Sequence, residues 1–249
     1  MADKTIHIRI KRQPNPDVSA YWEDFLLPWK PNMNVISVMM EIALNPKTKD
    51  GKATTPVTYD SNCLEEVCGS CAMLINGKAR MACSALIDQL DQPIKLEPLS
   101  KFPVVRDLAV DRSVLFENLK RVKAWIPIDG SYDLGPGPRL SPAEQEVAYA
   151  FSRCMTCGCC MEVCPQYNDK SDFMGPAPLA QVRLFNSHPT GRMNAQERLA
   201  EIMGKGGLVD CGNAQLCVEV CPKEIPLTEA FGELGRQTTI VWLRQLLGK

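Results

Sequence analysis

The chain has no long apolar run, almost no histidine and no excess of charge of either sign. No stretch of its 249 residues approaches the roughly 18 consecutive apolar residues that a bilayer-spanning helix needs, so no transmembrane segment is predicted. Residues 1–12 (MADKTIHIRIKR) alternate instead of forming the apolar block of a secretory leader, which predicts a chain that stays in the cytosol or an equally reducing compartment. Lysine plus arginine number 28 against 29 aspartate plus glutamate, a balance that excludes a global attraction to nucleic acid. The two histidines, His7 on an expected strand and His188 at an expected helix end, read as structural or exposed, and no Ser/His/Asp triad can be assembled. Gly204-Lys205-Gly206-Gly207 is too short for a phosphate loop and lacks a following Ser or Thr, so it reads as a helix end and turn. Catalytic residues are therefore not predicted on this chain.

Cysteine is what the sequence has in abundance, with twelve residues in two blocks, 63–83 and 154–221. In a reducing compartment that number points to metal binding and away from a disulfide framework. The first block is Cys63-x4-Cys68-x2-Cys71 followed by Cys83, the plant-type spacing for a [2Fe–2S] cluster. Gly69 is expected to let the loop backbone approach the inorganic sulfur. Four thiolates would also suit a structural zinc, although zinc sites usually pair two C-x2-C knuckles. The second block opens with Cys154-x2-Cys157-x2-Cys160-x3-Cys164-Pro165, a bacterial ferredoxin run in which the fourth cysteine serves the other cluster. Its partner run reads Cys211, Ala214, Cys217, Cys221-Pro222 in the same register, with alanine where a cysteine would stand. Cys154, Cys157, Cys160 and Cys221 are then the ligands of a complete [4Fe–4S] cluster. Cys164, Cys211 and Cys217 offer three thiolates, which predicts a [3Fe–4S] cluster. Cys159 falls off this register and reads as a small buried side chain.

The first third of the chain reads as short strands with one helix. Ile6, Ile8 and Ile10 alternate, Tyr21–Leu27 forms a second strand, and Asn34 caps a helix through Leu44. Ala72–Ile75 and Ala79–Cys83 flank an Asn76-Gly77 turn, and a further strand lies near Ile94–Leu96. The rest reads as helical: 111–126, a capping box at Ser141 with a helix towards Cys154, then 178–187, 195–203 and 227–247, with a loop over Gly130–Pro138. Lys120, Arg121 and Lys123 are expected on the wet face of their helix. The fold class is α+β, with domains expected at 1–105 and 106–249.

At these motifs the chain resembles the iron–sulfur subunits of succinate dehydrogenases and fumarate reductases. The resemblance spans nearly the whole chain, including Pro103-Val104-Val105-Arg106-Asp107-Leu108, the Cys159-Cys160 pair and Cys211-x5-Cys217-x3-Cys221-Pro222. It implies a β-grasp plant-type ferredoxin domain followed by an all-α bacterial-ferredoxin-like domain. It further implies electron transfer between FAD on a flavoprotein subunit and a quinone in a membrane-anchor subunit, through the [2Fe–2S], [4Fe–4S] and [3Fe–4S] clusters in that order. Haem b on the anchor, and a location on the cytoplasmic face of the bacterial inner membrane, belong to the same expectation. Ubiquinone-linked relatives carry a tryptophan pair after the Cys-Pro matching Cys164-Pro165 and a histidine after the cysteine matching Cys211. Here Gln166-Tyr167-Asn168-Asp169 and Gly212 stand instead, which is more similar to menaquinone-linked bacterial enzymes and leaves the quinone-pocket residues unassigned. Two rival readings stay open at this point: the iron–sulfur subunit of another, soluble flavoenzyme, and a zinc-stabilised binding protein.

Overall fold

The computed structural model describes residues 4–126 and 139–248, so the loop expected over 130–138 lies outside the described residues. The chain divides into two compact units, Met1–Arg112 with Met155–Glu162, and Ser113–Cys154 with Val163–Lys249. The first unit thus runs past Val105 and takes in a short segment of the second cysteine block.

In the first unit a five-stranded sheet has the order β2-β1-β5-β3-β4, built from β1 (Thr5–Arg12), β2 (Tyr21–Pro28), β3 (Ala72–Ile75), β4 (Lys78–Met81) and β5 (Ile94–Glu97). β1 runs parallel to β5, and the other pairs are antiparallel. Alternation in β1 buries Ile6, Ile8 and Ile10 completely on one face. Helix α1 (Val35–Leu44) packs against the sheet through Val35, Val38, Met39 and Ile42. Its start is set by a full capping box between Asn34 and Ser37. Asn76 and Gly77, both at positive φ, close the β3–β4 hairpin. A two-stranded ribbon, β6 (Val104–Arg106) and β7 (Ala109–Val110), turns at Asp107, which has φ +47°.

The second unit is helical: α2 (Ser113–Arg121), α3 (Pro142–Ser152), α5 (Pro176–Ser187), α6 (Ala195–Met203), the single turn α7 (Leu216–Glu219) and the twenty-residue α8 (Leu227–Leu246). A further single turn, α4 (Cys159–Glu162), belongs to the first unit and packs on β4. The core of the helical unit gathers Val122, Phe173, Met174, Leu179, Val182 and Ile202. Helix α2 ends well short of the expected position 126, because Lys123 turns to φ +49° and the buried Arg198 takes the carbonyls of Lys123 and Trp125. Among the described residues no helix is long and apolar enough to cross a membrane. The α+β class, with a mixed sheet followed by helices, is as the sequence predicts.

Candidate iron–sulfur cluster sites

The loop from Cys63 to Cys71 is shaped by three left-handed residues, Leu64, Glu66 and Gly69. Such turns point successive backbone N–H groups inward, an arrangement suited to holding negative charge. Here the inward target is sulfur. Cys63 Sγ accepts from the N–H groups of Glu65 (3.4 Å), Val67 (3.3 Å) and Cys68 (3.3 Å), and Cys68 Sγ accepts from Ser70 N–H at 3.5 Å. The N–H of Cys63, then the Ser70 hydroxyl and N–H, bring the Cys68 thiol down to about 6.

Cys71 opens onto β3, and Cys83 follows β4, so the hairpin returns the fourth thiol to the first three. The backbone N–H of Ala82 donates to Cys71 O at 3.1 Å. Burial, then the thiol and charge of Cys71 and the charge of Cys63, push the Cys83 thiol up to about 11. Thiols crowded enough to resist joint ionisation are those that bound iron would relieve. Asn34 Nδ2 donates to Cys83 O at 2.9 Å, so the residue that caps α1 also fixes the fourth thiol's backbone. The sequence signals the cap and gives no hint of this second contact.

Gly69 also has a role that the sequence does not signal. A Cβ at this position would lie 2.5 Å from Met155 O and 3.0 Å from Cys157 Cα. The missing side chain therefore admits the Met155–Cys157 backbone, at a residue whose φ of +73° already favours glycine.

The four cysteines expected to hold [4Fe–4S] are divided between the two units. Cys157 and Cys160 belong to the first, and Cys154, at the end of α3, and Cys221 belong to the second. Segment 155–162 is tied down by Glu162, whose carboxylate accepts from Ser100 N–H at 3.0 Å and Lys101 N–H at 3.1 Å. The Cys159 side chain lowers the Cys157 thiol to about 7 against the effect of burial, aided by Cys159 N–H and the Arg112 charge. Cys159 itself is fully buried. It fills core space as expected and also hydrogen-bonds its neighbour, a contact the ligand register does not reveal. Cys221 Sγ accepts from Ile225 N–H at 3.5 Å.

In the second unit Cys164, Cys211 and Cys217 line one pocket with Ala214, Gln166 and Phe231. Burial, then the charges of Cys164 and Cys211, push the Cys217 thiol up to about 11. Left-handed turns at Asn213 and Gln215 carry the loop past the alanine. Gln166 Nε2 lies 2.5 Å from where a Cβ on Gly212 would sit, so this glutamine occupies the space a side chain at 212 would need. Among the described residues no group of three or more His, Cys, Asp or Glu side chains is spaced to hold a single metal ion. The thiols gather around loops and a pocket instead. With thiol donors and inward N–H groups, the residues present fit polynuclear iron–sulfur groups.

Comparison with known proteins agrees. A family described as "2Fe-2S iron-sulfur cluster binding domain" matches residues 7–117, and one described as "4Fe-4S dicluster domain" matches residues 150–225. The chain is 60% identical to the succinate dehydrogenase iron-sulfur subunit of Bacillus subtilis, covering 98% of this chain and 97% of that one. It is 30% identical to the fumarate reductase iron-sulfur subunit of Wolinella succinogenes, covering 96% and 99%. Among solved structures, a chain of the Mycobacterium smegmatis Sdh1 complex in the apo form shares the fold, with a TM-score of 0.77 at 24% identity over 95% of this chain and 96% of that one.

Proposed function

Because the chain belongs to the family of succinate dehydrogenase and fumarate reductase iron–sulfur subunits, we propose a specific wiring for it. The chain is the electron-transfer subunit of such an oxidoreductase and carries a [2Fe–2S] domain followed by a [4Fe–4S] dicluster domain. In the proposed wiring Cys63, Cys68, Cys71 and Cys83 hold the [2Fe–2S] cluster. Cys154, Cys157, Cys160 and Cys221 hold the [4Fe–4S] cluster, and Cys164, Cys211 and Cys217 hold a [3Fe–4S] cluster. When bound, the clusters supply one-electron redox centres, and the protein's part is to position and tune them.

Ala214 carries the third assignment. It lines the same pocket as the three thiols, at the register position where the other run has a cysteine. The proposed terminals are FAD on a flavoprotein subunit and a quinone in a membrane-anchor subunit, with haem b as an optional group of that anchor. The chain would then be peripheral, on the cytoplasmic face. A menaquinone partner is supported by Gly212, whose flank is taken up by Gln166.

The test is EPR of anaerobically prepared, mildly oxidised protein alongside iron and acid-labile sulfide analysis. A [3Fe–4S] signal beside reducible [2Fe–2S] and [4Fe–4S] signals is the expected result. Its absence would overturn the assignment at Ala214. Recovery of the chain with a flavoprotein but no membrane anchor would favour a soluble flavoenzyme instead.

A further inference from the structure

Arg112 is a cation that the ligand sets do not use. Its guanidinium donates through Nη1 to Gly69 O at 2.7 Å and through Nη2 to Ser70 O at 2.9 Å. Both carbonyls lie between Cys68 and Cys71. Nη1 also reaches Cys157 O at 3.4 Å, the carbonyl of a ligand proposed for the next cluster. At the same place the bare backbone of Gly69 meets Met155 and Cys157, where a methyl group would not fit. One planar cation therefore spans two ligand loops where their backbones come close together, a task suited to the fork of donors that arginine has and lysine lacks.

We infer that Arg112 is a positioning and tuning residue for electron transfer: it clasps the Cys68–Cys71 loop to the Cys157 loop, and its permanent charge raises the reduction potentials of both clusters. The inference rests on the ligand assignment proposed above. A cluster that gains an electron becomes more negative, so a fixed cation beside its loop favours the reduced form. The side chain is only 16% exposed, which limits screening by salt. Asp60 offsets part of the charge, since its Oδ2 lies 3.7 Å from Nη2, but that carboxylate is half exposed and therefore well solvated.

The test is an EPR-monitored redox titration of the assembled holoprotein for wild type, Arg112→Gln, Arg112→Lys and Asp60→Asn. Arg112→Gln should lower the reduction equilibrium of the [2Fe–2S] and [4Fe–4S] clusters by roughly tenfold each, which is about 59 mV for a one-electron couple. Arg112→Lys keeps the charge and should retain the greater part of both potentials. Asp60→Asn leaves the clasp intact and should move the [2Fe–2S] potential upward, so the electrostatic claim is read even if Arg112→Gln fails to fold. Unchanged potentials in Arg112→Gln, or in Asp60→Asn when Arg112→Gln cannot be obtained, would overturn the inference. So would equal losses in the Gln and Lys variants, which would assign the effect to loop geometry alone. Absence of the two signals from the wild-type protein would instead defeat the ligand assignment, and this inference with it.

Discussion

Ala214 is a single side chain with consequences for a whole redox centre. It lines the pocket of Cys164, Cys211 and Cys217 and offers no thiolate. Ala214→Cys should convert the proposed [3Fe–4S] centre to [4Fe–4S] and lower its potential, since a fourth thiolate adds negative charge around the irons. EPR spin state and midpoint potential check this, and an unchanged cluster type would contradict it. Arg12 and Asp107 show a different single-residue dependence. Arg12 is 2% exposed and Asp107 1% exposed, joined at 3.0 Å. Asp107 also accepts from the N–H groups of Gln13 and Thr58, tying β1 to the segment that leads towards Cys63. Asp107→Ala removes one of two carboxylates from the buried Arg12, which keeps Glu23, and takes the acceptor from the Gln13 and Thr58 N–H groups, so it should cost about 1–3 kcal/mol in denaturant unfolding. That Asp107 turns the ribbon and binds Arg12, 95 positions away, was not legible in the sequence.

At the scale of elements, caps set where helices begin. The Ser141–Glu144 capping box was legible because its two partners lie three residues apart, and it is present in full, with Pro142 in the first turn. Ser141→Ala should destabilise the helical unit by about 1 kcal/mol, read from its thermal or denaturant transition. Helix α8 carries a pH-sensitive contact. Glu233 accepts from Arg236 at 2.7 and 2.8 Å and from Gln237 at 2.8 Å, and chiefly the Arg236 bonds hold its carboxyl down to about 2. A depressed carboxyl stabilises the fold above its ordinary value near 4.5, and that contribution is lost as the pH falls towards 2. The stability difference between wild type and Glu233→Gln should thus stay level from neutral pH to about 5 and shrink below it. The early end of α2 was not legible, since the apolar spacing continues to Trp125. The termination depends on Arg198 drawing off the carbonyls that a longer helix would use.

At the scale of the molecule, each unit buries its own apolar core built mainly from residues other than cysteine, although Cys164 belongs to the core of the second unit and Cys211 packs against it. β1 contributes Ile6, Ile8 and Ile10 in the first unit, and Leu179, Val182 and Ile202 fill the second. Removing iron should therefore abolish the visible absorbance while leaving most far-UV dichroism. Limited proteolysis should then cut first at 63–71 and 211–217, where the backbone is shaped by left-handed turns around sulfur instead of by regular pairing. Global loss of dichroism on iron removal would contradict this.

The sequence by itself determined the features that depend on short spacing along the chain: the two cysteine registers, the alanine that breaks one of them, the Asn76-Gly77 hairpin, the Asn34 cap and the Ser141–Glu144 capping box. A loop of fixed length reaches only certain places, so spacing carries the chemistry. Tertiary structure alone decided which distant groups meet. It brought β1 alongside β5, set Asn34 against Cys83 O and Gln166 beside Gly212, and gave Met155–Glu162 to the first unit. It also placed Arg112 across two cysteine loops, one more than forty residues before it and the other as far after it. Hydrogen bonds act over about 3 Å, and only a folded core delivers residues so far apart in the chain to within that range.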